Sequence, residues 1–77
     1  MPTVFSESGF RLMIYTRDDN PAHVHIWYQG KEAVIEIEEN LVIRDNNGFN
    51  RRESAMAWLI VEYKREFLLA EWRKIHG

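Results

Sequence analysis

Two histidines separated by one residue are the part of this sequence best suited to chemistry. His23 and His25 lie in the run 21–28, whose β-branched and aromatic residues predict a β-strand. Side chains of a strand alternate between its faces, so both imidazoles point the same way, about 6.6 Å apart over two rises of about 3.3 Å. This spacing suits two groups that act on one small target, or two ligands of one metal ion. It also suits two ordinary exposed side chains.

The elements that must position these histidines divide the chain into a strand-forming part and a helix-forming part. Alternating polarity predicts strands over 3–5, 10–16, 23–29 and 31–39, and a short extended segment over 41–43. Residues 51–76 contain no Pro or Gly and carry apolar residues at helical spacing. Asn50 and Glu53 are placed as a capping box at the start of this helix. One continuous helix, and two helices that meet within the polar stretch 62–66, both fit the pattern.

Length and composition bound the fold and the class of protein. Seventy-seven residues predict a single domain, an α+β fold whose antiparallel sheet of three to four strands is covered on one face by C-terminal helices. The absence of cysteine leaves no disulfide or thiolate metal site to support the core. Ten basic and twelve acidic residues nearly cancel, which argues against a strong, sequence-independent binder of nucleic acids.

Apolar runs and aromatic content give expectations about location and partners. No apolar run reaches the length of a membrane span and no secretory signal pattern is present, so we expect a cytoplasmic protein without membrane contact. Aromatic residues are plentiful for a chain of this size. Aromatic surface left over from the core would suit a partner protein or a homodimer.

The turn at Gly30 decides which side chains surround the histidines. A two-residue turn places apolar residues of both strands on the core face, namely Val24, Ile26 and Tyr28 with Ala33, Ile35 and Ile37. If Gly30 is the first turn residue, His25 lies opposite Glu36 and His23 opposite Glu38. If Gly30 is the second, His23 lies opposite Glu36. Either register brings imidazoles and carboxylates together across the strands.

The preceding strand adds further side chains to the histidine-bearing face. With Phe10, Leu12 and Ile14 in the core, a consistent register sets Tyr15 near His25 and Met13 near Trp27. The predicted constellation therefore consists of Arg11, Tyr15, His23, His25, Glu36 and Glu38, with Trp27 beside them.

Three interpretations of this face remain open. The first is a solvated sheet face whose histidines merely neighbour carboxylates. The second is acid–base catalysis on a phosphodiester by His23, His25, Arg11, Tyr15 and Glu36. One imidazole would take a proton from a ribose hydroxyl and the other would protonate the leaving oxygen. Arg11 would stabilise the charged phosphorane, Tyr15 would position the phosphate, and an adjacent carboxylate would orient a histidine ring.

The third interpretation is a metal site. His23 and His25 would supply two nitrogen ligands, and Glu36 or Glu38 the third. Asp18 and Asp19 lie in the loop sequence Arg-Asp-Asp-Asn-Pro, which predicts turn hydrogen bonds, with cation binding as the alternative.

Several short motifs, spread over essentially the whole chain, together resemble one known group of small bacterial proteins. They are Met-Pro-Thr-Val-Phe at the start, Gly9-Phe10-Arg11, Pro21-Ala22-His23-Val24-His25, Gly48-Phe49, Ala70-Glu71-Trp72 and the final Gly77. The sequence resembles the DhiT-like family, a domain of unknown function. Similar sequences commonly have a second proline where this chain has Ala22, which leaves the loop before His23 less rigid.

This resemblance implies a functional context without assigning a role to any residue. Such proteins are often encoded beside a second small protein, in the arrangement of a type II toxin–antitoxin pair, with this member as the toxin. For a small domain that carries paired histidines, metal-independent cleavage of RNA without a cofactor is the leading hypothesis. A non-enzymatic module that binds a partner protein is the alternative.

Overall fold

Five strands and two helices follow one another along the chain in the computed structural model, which describes residues 3–77. The strands are β1 (Thr3–Glu7), β2 (Phe10–Met13), β3 (His23–Tyr28), β4 (Lys31–Glu36) and β5 (Val42–Asn47). They form one sheet in the order β1-β2-β3-β4-β5, with every neighbouring pair antiparallel. The first two residues of the opening motif lie outside the described part.

The predicted α+β fold is confirmed, with five strands instead of three to four. The additional strand arises because β5 continues beyond the predicted segment 41–43 through Asp45, Asn46 and Asn47. These residue types are depleted in strands, so alternation did not reveal them. They nevertheless form a strand because their backbone groups pair with β4.

The helical part contains two helices that meet in the polar stretch. Helix α1 (Arg51–Tyr63) begins with the predicted capping box, in which Asn50 Oδ1 accepts from the Glu53 N–H at 2.8 Å. Helix α2 (Arg65–His76) begins directly after Lys64. Arg65 Nε donates to the Ile37 carbonyl at 2.8 Å, which ties the start of α2 to the chain after β4. Neither helix of residues 3–77 has the length and apolar character needed to cross a membrane.

The helices cover one face of the sheet, and the core lies between the two layers. The core consists of alternate strand residues together with residues of both helices, and its fully buried side chains include Leu12, Ile14, Val24, Ile26, Ile35, Ile37, Val61 and Leu68. This alternation confirms the predicted core face. The opposite face of the sheet carries the histidines.

The register at the β3–β4 turn is the one in which Gly30 is the second turn residue. Gln29 and Gly30 have φ angles of 49° and 75°, the left-handed conformation that a tight two-residue hairpin turn requires. His23 therefore lies opposite Glu36, and His25 lies opposite Val34.

The predicted register between β2 and β3 was wrong by two residues. Met13 lies opposite His25, and Arg11 lies opposite Trp27. The strand ends at Met13, three residues earlier than predicted, because the chain turns next: the Asp18 N–H donates to the Tyr15 carbonyl at 3.2 Å.

Candidate functional site

The loop that joins β2 to β3, residues 14–22, brings side chains back to the histidine-bearing face. The Tyr15 ring lies 4.1 Å from the His25 ring, centroid to centroid. Asp18 follows in the same turn, where its Oδ2 lies 3.4 Å from the Tyr15 backbone nitrogen. Met13 and Val34, the neighbours of His25 on the two flanking strands, are buried. The loop therefore makes part of this face a partly enclosed site.

Asp18, His23 and His25 form the centre of this site, and we call them the His–Asp–His cluster. His25 Nε2 lies 2.9 Å from Asp18 Oδ2, and His23 Nε2 lies 3.3 Å from the same oxygen. Two imidazoles from one strand and one carboxylate from the loop thus converge on a single point.

The other ring nitrogen of each histidine is held by an acceptor outside the cluster. His23 Nδ1 lies 2.8 Å from the Pro21 carbonyl oxygen, and His25 Nδ1 lies 2.9 Å from Glu32 Oε2. A carbonyl and a carboxylate only accept, so each Nδ1 contact needs a hydrogen on Nδ1, and the contact of His25 Nε2 with Asp18 needs one on Nε2 as well. Arg44 Nη1 lies 3.4 Å from His23 Nδ1, but it cannot donate to a nitrogen that is itself a donor. Both Nε2 atoms are thereby directed into the cluster.

Aromatic side chains fix the orientation of both rings. The hydroxyl of Tyr15, whose ring packs against His25, accepts from Trp27 Nε1–H at 2.9 Å. On the other side of the cluster the Trp72 ring of α2 lies 5.3 Å from the His23 ring. Tyr15 and Trp27 therefore position His25. Trp72 belongs to the hydrophobic core and also supports His23.

A cavity of about 390 Å³ connects the cluster with solvent. Its lining combines two guanidinium groups, two imidazoles and three carboxylates with one apolar side chain: Arg17, Asp18, Asp19, His23, His25, Val34, Arg44 and Asp45. The buried His23 is thus part of the cavity lining. Cations at the rim and ring nitrogens at the base suit a small anionic group or a metal ion.

Arg11 does not lie where the sequence analysis placed it. It is exposed and pairs with Trp27, which lies two residues after His25 in β3, and it does not line the cavity. Arg17 of the loop and Arg44 of β5 occupy the cavity instead. The difference arises because the loop after β2 and strand β5 bring these two arginines to the histidines, which strand alternation does not predict.

The carboxylates that contact the imidazoles also differ from the predicted ones. Glu36 lies opposite His23 in the backbone register, but its Oε2 lies 3.9 Å from Arg44 Nε. Glu38 comes after the end of β4, and its Oε1 accepts from the Ala22 N–H at 3.1 Å. Neither is brought to the ring nitrogens, so neither completes the metal site of the third interpretation.

Asp18 and Glu32 take those places. Glu32 shares the histidine-bearing face by strand parity and is a diagonal neighbour of His25, because it pairs with Trp27. This neighbourhood of Glu32 and His25 follows from the sequence if Gly30 is taken as the second turn residue. Asp18 was assigned turn hydrogen bonds, and it makes one while also contacting both histidines. No local pattern indicates this second role.

Comparisons with known proteins give a family and no more. Residues 9–73 match the family described as Domain of unknown function (DUF4160). No curated protein and no solved structure matches the chain. The matched segment contains the whole His–Asp–His cluster together with Glu32 and Trp72. Since it covers most of the sequence, the chain belongs to the DUF4160 family, a domain of unknown function.

Proposed function

We propose that this protein cleaves phosphodiester bonds of RNA by metal-independent acid–base catalysis, as the toxin of a bacterial two-protein module. One observation carries the chemistry: two imidazole Nε2 atoms converge at the base of an open cavity whose rim holds two arginines. Acid–base cleavage of a phosphodiester needs one group to accept a proton, one to donate a proton and a cation for the phosphate.

The contacts of the two Nδ1 atoms assign the two roles. His23 Nδ1 donates to an uncharged carbonyl, which suits a neutral ring with its lone pair at Nε2, so His23 is the general base. His25 has a carboxylate at each nitrogen, so its doubly protonated form has an acceptor for both N–H groups. His25 is therefore the general acid. Asp18 holds the two Nε2 atoms in position until the phosphate enters.

The proposed reaction is an intramolecular transfer at phosphorus. His23 Nε2 takes the proton of the ribose 2′-hydroxyl, and the 2′ oxygen attacks the phosphorus. The bond from phosphorus to the 5′ oxygen breaks, and His25 Nε2 gives its proton to that leaving oxygen. The products are a 2′,3′-cyclic phosphate and a free 5′-hydroxyl. Arg17 and Arg44 hold the phosphate oxygens, a role first expected of Arg11.

The cleavage is tested with purified protein and a short labelled RNA in buffer that contains EDTA. We expect His25→Ala to lower the cleavage rate by about 10²- to 10⁴-fold, the usual contribution of a positioned acid or base. His76→Ala is the matched control, because His76 lies at the end of α2 and outside the cavity. Equal rates for wild type and His25→Ala would remove His25 from the mechanism.

The resemblance of the motif around His23 and His25 to the DhiT-like family supports the toxin role and a location in the bacterial cytoplasm. Expression with and without the neighbouring small protein tests this role. Growth should stop when the protein is expressed alone and should recover when both are expressed. Unchanged growth under both conditions would refute the toxin role.

A non-enzymatic protein-binding function is the second candidate, and exposed apolar side chains favour it. Large side chains left open on the two helices are Met56, Leu59, Tyr63 and Phe67. Tyr63 is the most exposed of them, at 83%. The cognate partner, or a second copy of this chain, would cover such side chains. A stable complex with no RNA cleavage would favour this candidate.

A further inference from the structure

With both rings neutral, the interior of the His–Asp–His cluster holds acceptors and no donor. Both Nδ1–H groups donate outward, to Pro21 and Glu32, so a neutral ring presents only a lone pair at Nε2. Those lone pairs face the Asp18 carboxylate, and one ligand atom from each of the three residues lies within 4.8 Å of the others. Acceptors at such short separations repel one another unless a proton or a cation lies between them.

The three ligand atoms of the cluster lie within 4.8 Å of one another, close enough to surround one ion. Zn²⁺ binds nitrogen and oxygen at about 2.0–2.1 Å, which puts two ligands of a tetrahedral site about 3.3–3.4 Å apart. The Asp18 oxygen lies 3.3 Å from His23 Nε2 and 2.9 Å from His25 Nε2. An ion can therefore enter between these atoms with small side-chain adjustments.

The outer contacts are those that metal-binding histidines use. A histidine ligand almost always donates its second ring N–H to a carboxylate or a backbone carbonyl, which fixes the tautomer and the direction of the ring. Here His25 has the carboxylate of Glu32 and His23 has the carbonyl of Pro21. Two nitrogens and one carboxylate oxygen favour Zn²⁺ or a similar transition ion over Mg²⁺ or Ca²⁺, which prefer oxygen ligands.

We infer that the His–Asp–His cluster binds one divalent ion of the zinc type through Asp18 Oδ2 and the Nε2 atoms of His23 and His25. Water from the cavity completes the coordination. This site goes beyond the proposed cleavage and depends only on the geometry of the cluster. A bound ion occupies the two nitrogens that acid–base catalysis needs, so the loaded protein is a resting form of the proposed enzyme.

The test is a calorimetric titration of EDTA-treated, dialysed protein with Zn²⁺, followed by Co²⁺ titration monitored through visible absorption. We expect one ion per chain, and a loss of affinity of at least tenfold in both Asp18→Asn and His25→Ala. Glu36→Gln is the matched control, because Glu36 lies on the same face and points to Arg44. Its affinity should equal that of the wild type. Circular dichroism establishes that each variant is folded.

Two results would overturn the inference. One is the absence of saturable uptake by the folded wild-type protein, and the other is unchanged affinity in Asp18→Asn and His25→Ala together. Either failure is separable from failure of the proposed function, because RNA cleavage is measured in EDTA and ion binding is measured without RNA.

Discussion

Two polar networks of this molecule have similar contact distances but differ in how their hydrogen-bond donors and acceptors are matched. The capping network, formed by Lys31, Asn50 and Glu53, joins the β3–β4 turn to the start of α1. Lys31 Nζ lies 2.8 and 2.7 Å from the two Glu53 carboxylate oxygens, and the Asn50 N–H donates to one of them at 3.0 Å. Every carboxylate oxygen of this network has a donor.

The His–Asp–His cluster has contacts of 2.9 and 3.3 Å but lacks this balance when both rings are neutral. Its donors point outward, and its interior holds ring nitrogens and a carboxylate oxygen around one point. A network with matched donors and acceptors stabilises the fold and needs nothing further. A network with surplus acceptors at the base of a cavity is poised for a proton or a cation. The contrast teaches that donor counting separates a structural network from a functional one where distance does not.

Saturation with Zn²⁺ gives the largest difference between the two networks. Because the ion occupies Nε2 of His23 and His25, we expect cleavage of labelled RNA to be suppressed completely and to return when EDTA is added. The same ion should raise the free energy of unfolding by about 2.7 kcal/mol at a free concentration 100 times the dissociation constant. Thermal unfolding measures this. Persistent cleavage by the zinc-saturated protein would show that these nitrogens do not perform the reaction.

Glu32→Gln weakens the outer support of the cluster without removing a ligand. The variant keeps a side chain of the same size but loses the charged acceptor of His25 Nδ1–H. We expect zinc affinity to fall by about 10- to 100-fold, as for other outer partners of metal-binding histidines. Calorimetry provides the measurement. Glu38→Gln, whose carboxylate contacts the Ala22 N–H, is the control and should bind zinc as the wild type does.

Asn50→Ala tests the balanced network. The substitution removes the side-chain acceptor of the Glu53 N–H, and loss of such a cap costs about 0.5–2 kcal/mol. Urea unfolding should show this decrease in stability. Zinc affinity and RNA cleavage should not change, because the cap lies outside the cavity. A change in zinc affinity would mean that the two networks are coupled.

Lys31→Met has the smallest expected effect on stability, and the size of that effect depends on pH. The side-chain hydrogen bond from Lys31, helped by the backbone N–H of Asn50, lowers the pKa of Glu53 below its usual value of 4.5. A carboxyl group with a lowered pKa in the folded state contributes stability above its unfolded pKa and loses it as pH falls through the folded pKa. The variant should therefore be less stable than the wild type near neutral pH, and the difference should shrink below pH 4.5 and vanish once the pH has passed the lowered pKa of Glu53 in the folded protein. Urea unfolding across this range checks it, and a constant difference would contradict the ion pair.

Strand parity allowed much of the fold to be predicted from local patterns. Alternation in β3 and β4 was enough to place the aliphatic residues in the core and both imidazoles on the other face. The capping box was equally visible, since Asn50 and Glu53 are three residues apart. Strand alternation and the capping box depend on residues only a few positions apart, so both can be predicted from local sequence patterns.

The remaining parts of the site depend on contacts between distant segments. The loop conformation places Asp18 against two histidines of the next strand, and no periodicity describes a loop. The register of β2 brings Arg11 opposite Trp27, yet Arg11 is exposed and does not line the cavity, which strand parity alone could not reveal. Arg44 reaches the cavity only because β5 pairs with β4 through residues that disfavour strands.

The most direct measurement is nuclear magnetic resonance of the imidazole nitrogens in protein labelled with ¹⁵N-histidine, before and after one equivalent of Zn²⁺. The central claim is that His23 and His25 are held through Nδ1–H and share one interior point through Nε2. We predict that Nδ1 of both rings carries hydrogen, that zinc shifts both Nε2 signals together, and that His76 does not respond. Zinc that shifts Nδ1 signals, or only one of the two rings, would contradict the account.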